Sequence, residues 1–366
     1  MKLPGLPLLL IALMALLASP RGALAAPAVR TPVVLITDIG TDIDDSWALA
    51  LALRSPELDL KLVLTDPADT VYRARVAAKF LEAAGRADVP VAIGDNGGPT
   101  GDNFKTLTAW IAGYDIGKYP GKVYQDGVGA LIDVVEKSPV PVTIVAIGPV
   151  HSLALALKRS PGIASKCRFV GMYGSFDVGY GGGPPSAETN VRVEPAGLRA
   201  VLSAPWRDIL LTPLDTCGLV SLAGERYHAI WSATGDPTLR ALIESYCIFA
   251  PQQNWMTCDF FSTHSTTLFD CVAVYLAYSE DLVETETIAF QVTDDLLDAE
   301  GNPAIMGKPA NQDGKKATFV TAMGRDQARQ RAEMLVEQAV MHLRVFDEGR
   351  VDLLKDLAYY VLKRRL

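Results

Sequence analysis

From residue 33 onward, short apolar runs alternate with amphipathic stretches. Val33–Thr37, Leu60–Leu64, Val89–Ile93, Val142–Ala146, Phe169–Met172 and Asp208–Leu211 are brief and rich in Val, Ile and Leu, the pattern of buried strands. Between them Ser46–Arg54, Tyr72–Ala84, Gly129–Glu136, Leu153–Lys158 and Glu194–Leu202 carry helical spacing, and Gly85 is a helix-stop signal. The alternation predicts an α/β fold with a mostly parallel central sheet and helices on both faces. Ligands in such folds sit beyond the carboxyl ends of the strands. Two stretches, 94–121 and 179–185, break the pattern after strands, where substrate-covering loops are expected. Arg325–Leu343 predicts a long amphipathic helix. With no repeat or clear linker, residues 26–366 read as a single domain.

The first 25 residues follow another pattern. Lys2 precedes an apolar run, Leu8–Leu17, which ends at Ser19-Pro20-Arg21, and Ala23-Leu24-Ala25 fits the small-residue cleavage rule. A signal peptide over 1–25 is expected, with the mature chain starting at Ala26. The run is too short to span a bilayer comfortably, so the exported chain is expected to be secreted or periplasmic and free of the membrane. Export permits disulfides, but the five cysteines are odd in number and show no CxxC spacing; a Cys247–Cys258 bridge is one conceivable pairing.

Composition changes the picture little: 49% apolar and 21% charged residues are ordinary for a globular chain of 366 residues. The net charge of −8 and the lack of a basic stripe argue against nucleic-acid binding. The candidate chemistry lies at the end of the first strand. There Val33-Val34-Leu35-Ile36-Thr37 runs into Asp38-Ile39-Gly40-Thr41-Asp42-Ile43-Asp44-Asp45, and a helix pattern follows at once. Carboxylates gathered so closely need a compensating cation. All-oxygen ligands favour a hard ion, Ca²⁺ before Mg²⁺. A solvated loop or a helix-capping run is the plainer reading of the same residues.

The Asp38–Leu49 segment resembles the aspartate signature of the inosine–uridine-preferring nucleoside hydrolases, in a form with two extra residues. Four further segments resemble that family in order: Asp69–Arg86, Ile144–Pro149, Ala187-Glu188-Thr189-Asn190 with Val193-Glu194-Pro195, and Leu268–Val274. The resemblance implies hydrolysis of a ribosyl N-glycoside, with a small nucleoside-like substrate, Ca²⁺ as cofactor and self-association left open. It implies that Asp38 binds the metal and serves as base for the attacking water. Asp45, the Ile147 carbonyl and Asp270 would be further metal ligands, with Asp42 another candidate. Asp44 would contact ribose hydroxyls, a role for which Asp42 competes. Asp69 takes a sugar-side position, and Glu188 with Asn190 would hold the ribose 5′-hydroxyl.

This chemistry suits the reaction. Breaking an N-glycosidic bond develops oxocarbenium charge that nearby carboxylates favour, and a cation with a carboxylate base makes water a competent nucleophile. The leaving base is served less well. Where the family often has His before the late Asp, the chain has Phe269, and His264 is the expected substitute acid. An Asn upstream of Glu188 corresponds to Gly182. Trp110, Trp255, Phe260 and Phe261 are candidates to stack on the base. Two rivals fit parts of the pattern: an exported binding protein that keeps the pocket without turnover, and an aspartyl phosphatase. The phosphatase wants Asp-x-Asp after the strand, where Gly40 stands instead.

Overall fold

The computed structural model describes residues 30–99 and 104–285, together with residues 326, 327, 329, 330, 333 and 334. Seven strands form one parallel sheet: β1 Thr31–Thr37, β2 Leu58–Thr65, β3 Val91–Ile93, β4 Val123–Tyr124, β5 Val142–Ala146, β6 Cys167–Met172 and β7 Asp208–Thr212. The spatial order is β4-β3-β2-β1-β5-β6-β7. Val33 to Ile36 are fully buried, as expected for a central parallel strand covered on both faces. β4 is a short edge strand just beyond the 94–121 stretch and is not among the strands expected from sequence.

Eleven α-helices occur among the described residues of the first 285. They are α1 Asp44–Arg54, α2 Thr70–Ala83, α3 Gly127–Lys137, α4 His151–Arg159, α5 Thr189–Val193, α6 Pro195–Leu202, α7 Leu214–Cys217, α8 Gly224–Trp231, α9 Pro237–Phe249, α10 Cys258–Thr263 and α11 Phe269–Leu276. α1 packs against α9 and α11, and α2 against α9; α3, α4 and α6 pack together as a separate group. The predicted α/β class and parallel sheet hold. Helix α1 begins two residues earlier than the pattern implied, so Asp44 and Asp45 fall in its first turn.

This topology dictates where the site lies. The chain moves from β1 outward to β2 and β3 in one direction, and from β5 outward to β6 and β7 in the other. Right-handed crossovers then place the two sets of helices on opposite faces. The loops leaving β1 and β5 therefore diverge and leave a crevice at their carboxyl ends, the usual ligand position in open α/β sheets. Ile36 pairs with Ala146, and the Ile147 amide donates to the Ile36 carbonyl at 2.9 Å. The acidic turn and the Ile147-Gly148-Pro149 turn thus meet side by side.

The chain divides into two compact units, Met1–Glu284 and Thr285–Leu366. All elements above belong to the first. Of the seven described residues of the second, Thr285 is irregular and residues 326, 327, 329, 330, 333 and 334 are helical; the rest of the helix expected over Arg325–Leu343, like the expected signal peptide, lies outside the described residues. No helix among the described residues is long and apolar enough to cross a membrane. All five cysteines are free thiols, so the conceivable Cys247–Cys258 bridge is not formed.

Candidate active site

A cavity of about 550 Å³ opens at the crevice. Asp38, Asp42, Asp44, Asp45, Ile147, Glu188, Asn190 and Asp270 all line it, so most of the residues singled out from sequence converge there. Asp44, Asp45 and Asp270 are buried, and each offers a carboxylate oxygen within 4.8 Å of the others.

Local structure explains the convergence. Gly40 adopts φ +101°, and a Cβ there would stand 2.8 Å from Cε1 of Tyr72, so the turn needs glycine. Tyr72 donates its hydroxyl to the Gly40 carbonyl at 3.0 Å. The Thr37 hydroxyl donates to Asp45 and accepts from the Ile39 amide, tying strand end to helix start. Asp44 and Asp45 in the first turn of α1, and Asp270 in that of α11, sit where helix dipoles favour negative charge. Packing of α11 on α1 brings Asp270 to the turn across more than 200 residues of sequence.

The electrostatics call for a cation. Burial pushes the Asp44, Asp45 and Asp270 carboxyls well above the usual range, and mutual repulsion adds to it. Asp38 is half-buried and also raised, by loss of water, with Arg73 opposing. The Arg73 guanidinium is 2% exposed, lies 4.0 Å from the Asp38 carboxylate, and donates to the Asp38 carbonyl, to Thr41 Oγ1 at 2.8 Å and to the Pro67 carbonyl at 2.8 Å. One fixed cation facing several buried carboxylates leaves a charge deficit that an oxygen-preferring divalent ion matches. Close approach matters as well: a Cβ on Gly148 would stand 2.5 Å from Asp38 Oδ1.

On the other side, Glu188 caps α5, accepting from the amides of Asn190 at 2.7 Å, Val191 at 3.1 Å and Gly174 at 3.3 Å. Burial raises its pKa to about 7. Asn190 donates Nδ2 to the carbonyls of Ile147 at 3.3 Å and Met172 at 3.1 Å, which fixes it beside the β5 turn.

Some expectations land elsewhere. Asp42, expected among the metal ligands, is exposed at the lip and accepts from the Ile43 amide at 2.6 Å; Asp44 is the one drawn against Asp45 and Asp270. Asp69 does not line the cavity: it caps α2 through the Tyr72 amide and pairs with Lys105, which does line it. His264 also stands outside the lining, stacked on Phe260 with ring centroids 4.9 Å apart. Trp110, Trp255, Phe260 and Phe261 do not line the cavity either; its aromatic wall is Phe104, Tyr180, Phe249 and Phe269. Sequence reasoning missed Phe104, Tyr180 and Phe249, although the first two lie in the two pattern-breaking stretches.

The sequence model of the inosine-uridine preferring nucleoside hydrolases matches residues 33–330. The chain belongs to this family. It is therefore an N-glycosyl hydrolase. Among curated relatives, the non-specific ribonucleoside hydrolase RihC of Escherichia fergusonii is 31% identical over 221 residues, covering 56% of this chain and 72% of the relative. Uridine nucleosidase 1 of Arabidopsis thaliana is 27% identical over 277 residues, covering 72% and 81%. Among solved structures, the purine-preferring ribonucleoside hydrolase from Gardnerella vaginalis superposes with TM-score 0.57 at 22% identity, covering 70% of this chain and 83% of that one. A plant nucleoside hydrolase gives TM-score 0.56 at 24% identity, covering 70% and 81%. The nucleoside hydrolase fold is thus common to all of them.

Proposed function

We propose that this nucleoside hydrolase is an exported, Ca²⁺-dependent enzyme that releases the sugar of a ribonucleoside or related ribosyl N-glycoside with water. The supporting observation is the convergence of the strand-end aspartates with Asp270 inside one cavity at the crevice between β1 and β5. The donor set is carboxylate and carbonyl oxygen, the chemistry of a hard divalent ion. Asp38, Asp45, Asp270 and the Ile147 carbonyl would hold it, with Asp44 beside them. When bound, the ion lowers the pKa of water and engages vicinal sugar hydroxyls.

The protein's own groups do the rest. Asp38, braced by Arg73 and Gly148, accepts the proton of the attacking water. Asp44 faces the sugar hydroxyls from the first turn of α1. Glu188 and Asn190 clamp the 5′ end, so the anomeric carbon is held in one position over the carboxylates. The surrounding negative charge favours the oxocarbenium-like transition state. Asp69 acts indirectly, by pairing with Lys105 at the cavity wall. His264, stacked on Phe260 outside the cavity lining, would serve as leaving-group acid only after a movement of α10. Export rests on the amino-terminal pattern of charge, apolar run and Ala-Leu-Ala.

The test is ribose release from a nucleoside panel with and without a calcium chelator. Release that stops on chelation and returns with Ca²⁺ is expected. Asp38→Asn should retain the fold but lose at least about 100-fold in kcat, a typical contribution of a general base. Full hydrolysis by that variant would refute the assigned role.

A further inference from the structure

We propose that Asp215 is a positioning residue for the sugar clamp: from outside the cavity it fixes the β6–α5 loop, and with it Glu188 and Tyr180, against the 5′ end of the substrate. This rests on the reading of Glu188 and Asn190 as the groups that hold the ribose 5′-hydroxyl, and adds to it a residue outside the ordered motifs.

The first observation is the loop itself. It leaves β6 at Gly174, where φ is +91°, and runs through Tyr180 into Gly181 at +63° and Gly182 at +77°. A glycine-rich segment gives up much conformational freedom when it is ordered. Its internal bonds close it on itself. The Ser175 hydroxyl donates to the Val178 carbonyl at 2.9 Å and accepts from the Ser186 amide at 3.2 Å, and the Gly179 amide donates to the Gly183 carbonyl at 2.9 Å. None of these bonds locates the loop relative to the sheet.

The second is the grip of α7 on that loop. The Asp215 carboxylate accepts from three successive loop amides: Oδ2 from Phe176 at 2.8 Å, and Oδ1 from Asp177 at 2.7 Å and Val178 at 2.9 Å. Such charge-assisted bonds are the strong ones among backbone contacts. The preceding Leu214 amide donates to the Gly174 carbonyl at 2.9 Å. Asp215 itself does not line the cavity. One short helix after β7 thus holds the loop where it leaves β6.

The third is what the anchored loop touches. At its start, the Gly174 amide donates to Glu188 Oε2 at 3.3 Å. Further along, the Tyr180 hydroxyl donates to Thr189 Oγ1 and accepts from the Thr189 amide, each at 3.0 Å, and lies 3.5 Å from Glu188 Oε1. Both Glu188 oxygens therefore face groups whose place is set by this loop. Removing the Asp215 anchor frees those groups together, and a small displacement of a positioning group is costly in rate even when it originates away from the chemistry.

The experiment measures kcat/KM of the full chain, with Ca²⁺, for uridine and inosine and for their 5′-deoxy counterparts. The wild type should prefer the 5′-hydroxyl forms by about 10- to 100-fold, the worth of a charge-assisted hydrogen bond. Asp215→Ala should shrink that preference at least about tenfold, and Asp215→Asn, which keeps an acceptor for part of the loop, at least about threefold. The 5′-deoxy forms should be cleaved nearly as before. A role confined to folding lowers the rates for both forms alike and leaves the ratio where it was. Asp215→Asn decides the matter should Asp215→Ala fail to fold. If the folded variants keep the wild-type ratio, or if the wild type itself shows no preference, the inference is wrong while the hydrolase reading stands. If no riboside is cleaved with or without Ca²⁺, the hydrolase reading itself fails and takes this one with it.

Discussion

Replacing Asp270 by Asn should move stability in opposite directions depending on whether calcium is present. Without metal, Asp270 is a buried carboxylate within 4.8 Å of those of Asp44 and Asp45. Two unit charges at that separation repel by about 3 kcal/mol at an effective dielectric near 20. Proton uptake by the cluster lowers that ceiling, because burial already holds all three carboxyls above the usual range. A net relief of about 1–2 kcal/mol is therefore expected for metal-free Asp270→Asn, a rise in Tm of roughly 2–8 °C. The sign with pH follows from the raised pKa values. The folded state holds these protons more tightly than the unfolded chain, so metal-free stability falls as pH rises above about 4, and the relief grows with pH. Calcium reverses the order. At 100 times the dissociation constant it stabilises the wild type by about 2.7 kcal/mol, and loss of one charged ligand should remove most of that increment. Thermal unfolding of both proteins in chelator and in calcium, between pH 5 and 8, measures all four quantities. A metal-free variant less stable than wild type, together with an undiminished calcium increment, would refute the reasoning.

Further outcomes follow from the same geometry. Glu188 accepts three backbone amides as a carboxylate and has a pKa of about 7. In calcium, kcat/KM should fall as pH drops through that value, and Glu188→Gln should cost about 10- to 100-fold at pH 8, the worth of a charge-assisted hydrogen bond, while flattening the acid limb. Gly148→Ala places a Cβ 2.5 Å from Asp38 Oδ1. It should cost about 1–3 kcal/mol of stability by urea unfolding, and ribose release should fall further than that loss explains, because the base is displaced.

How much of this was legible in the sequence depends on the range of the interactions involved. The strands of the sheet are mostly short runs rich in Val, Ile and Leu, and the acidic turn sits where an apolar run stops, so both are local signals. The Asp38 turn, Ile147, Glu188, Asn190 and Asp270 were identified from the ordered motifs, and the fold brings all of them to one cavity. The ambiguity between Asp42 and Asp44 was not resolvable by spacing. The structure places the two differently: the first turn of α1 starts at Asp44 and buries that side chain while leaving Asp42 at the lip. The aromatic wall was largely invisible. Phe249 ends helix α9, Phe104 lies in a stretch of sequence without helix or strand spacing and Tyr180 lies in a glycine-rich loop, so only tertiary packing makes them neighbours. Trp110 was misjudged for the converse reason: its ring is buried against Phe80 instead. Asp69, read as a sugar contact, answers a nearer demand, since the first turn of α2 needs a cap.

The most direct measurement is anomalous diffraction from crystals of the full chain grown with calcium. One ion is predicted in the crevice, with carboxylate oxygens of Asp38, Asp45 and Asp270 and the Ile147 carbonyl at about 2.3–2.6 Å. Saturating calcium that leaves these groups without an ion, or that binds only elsewhere, would contradict the metal-centred account.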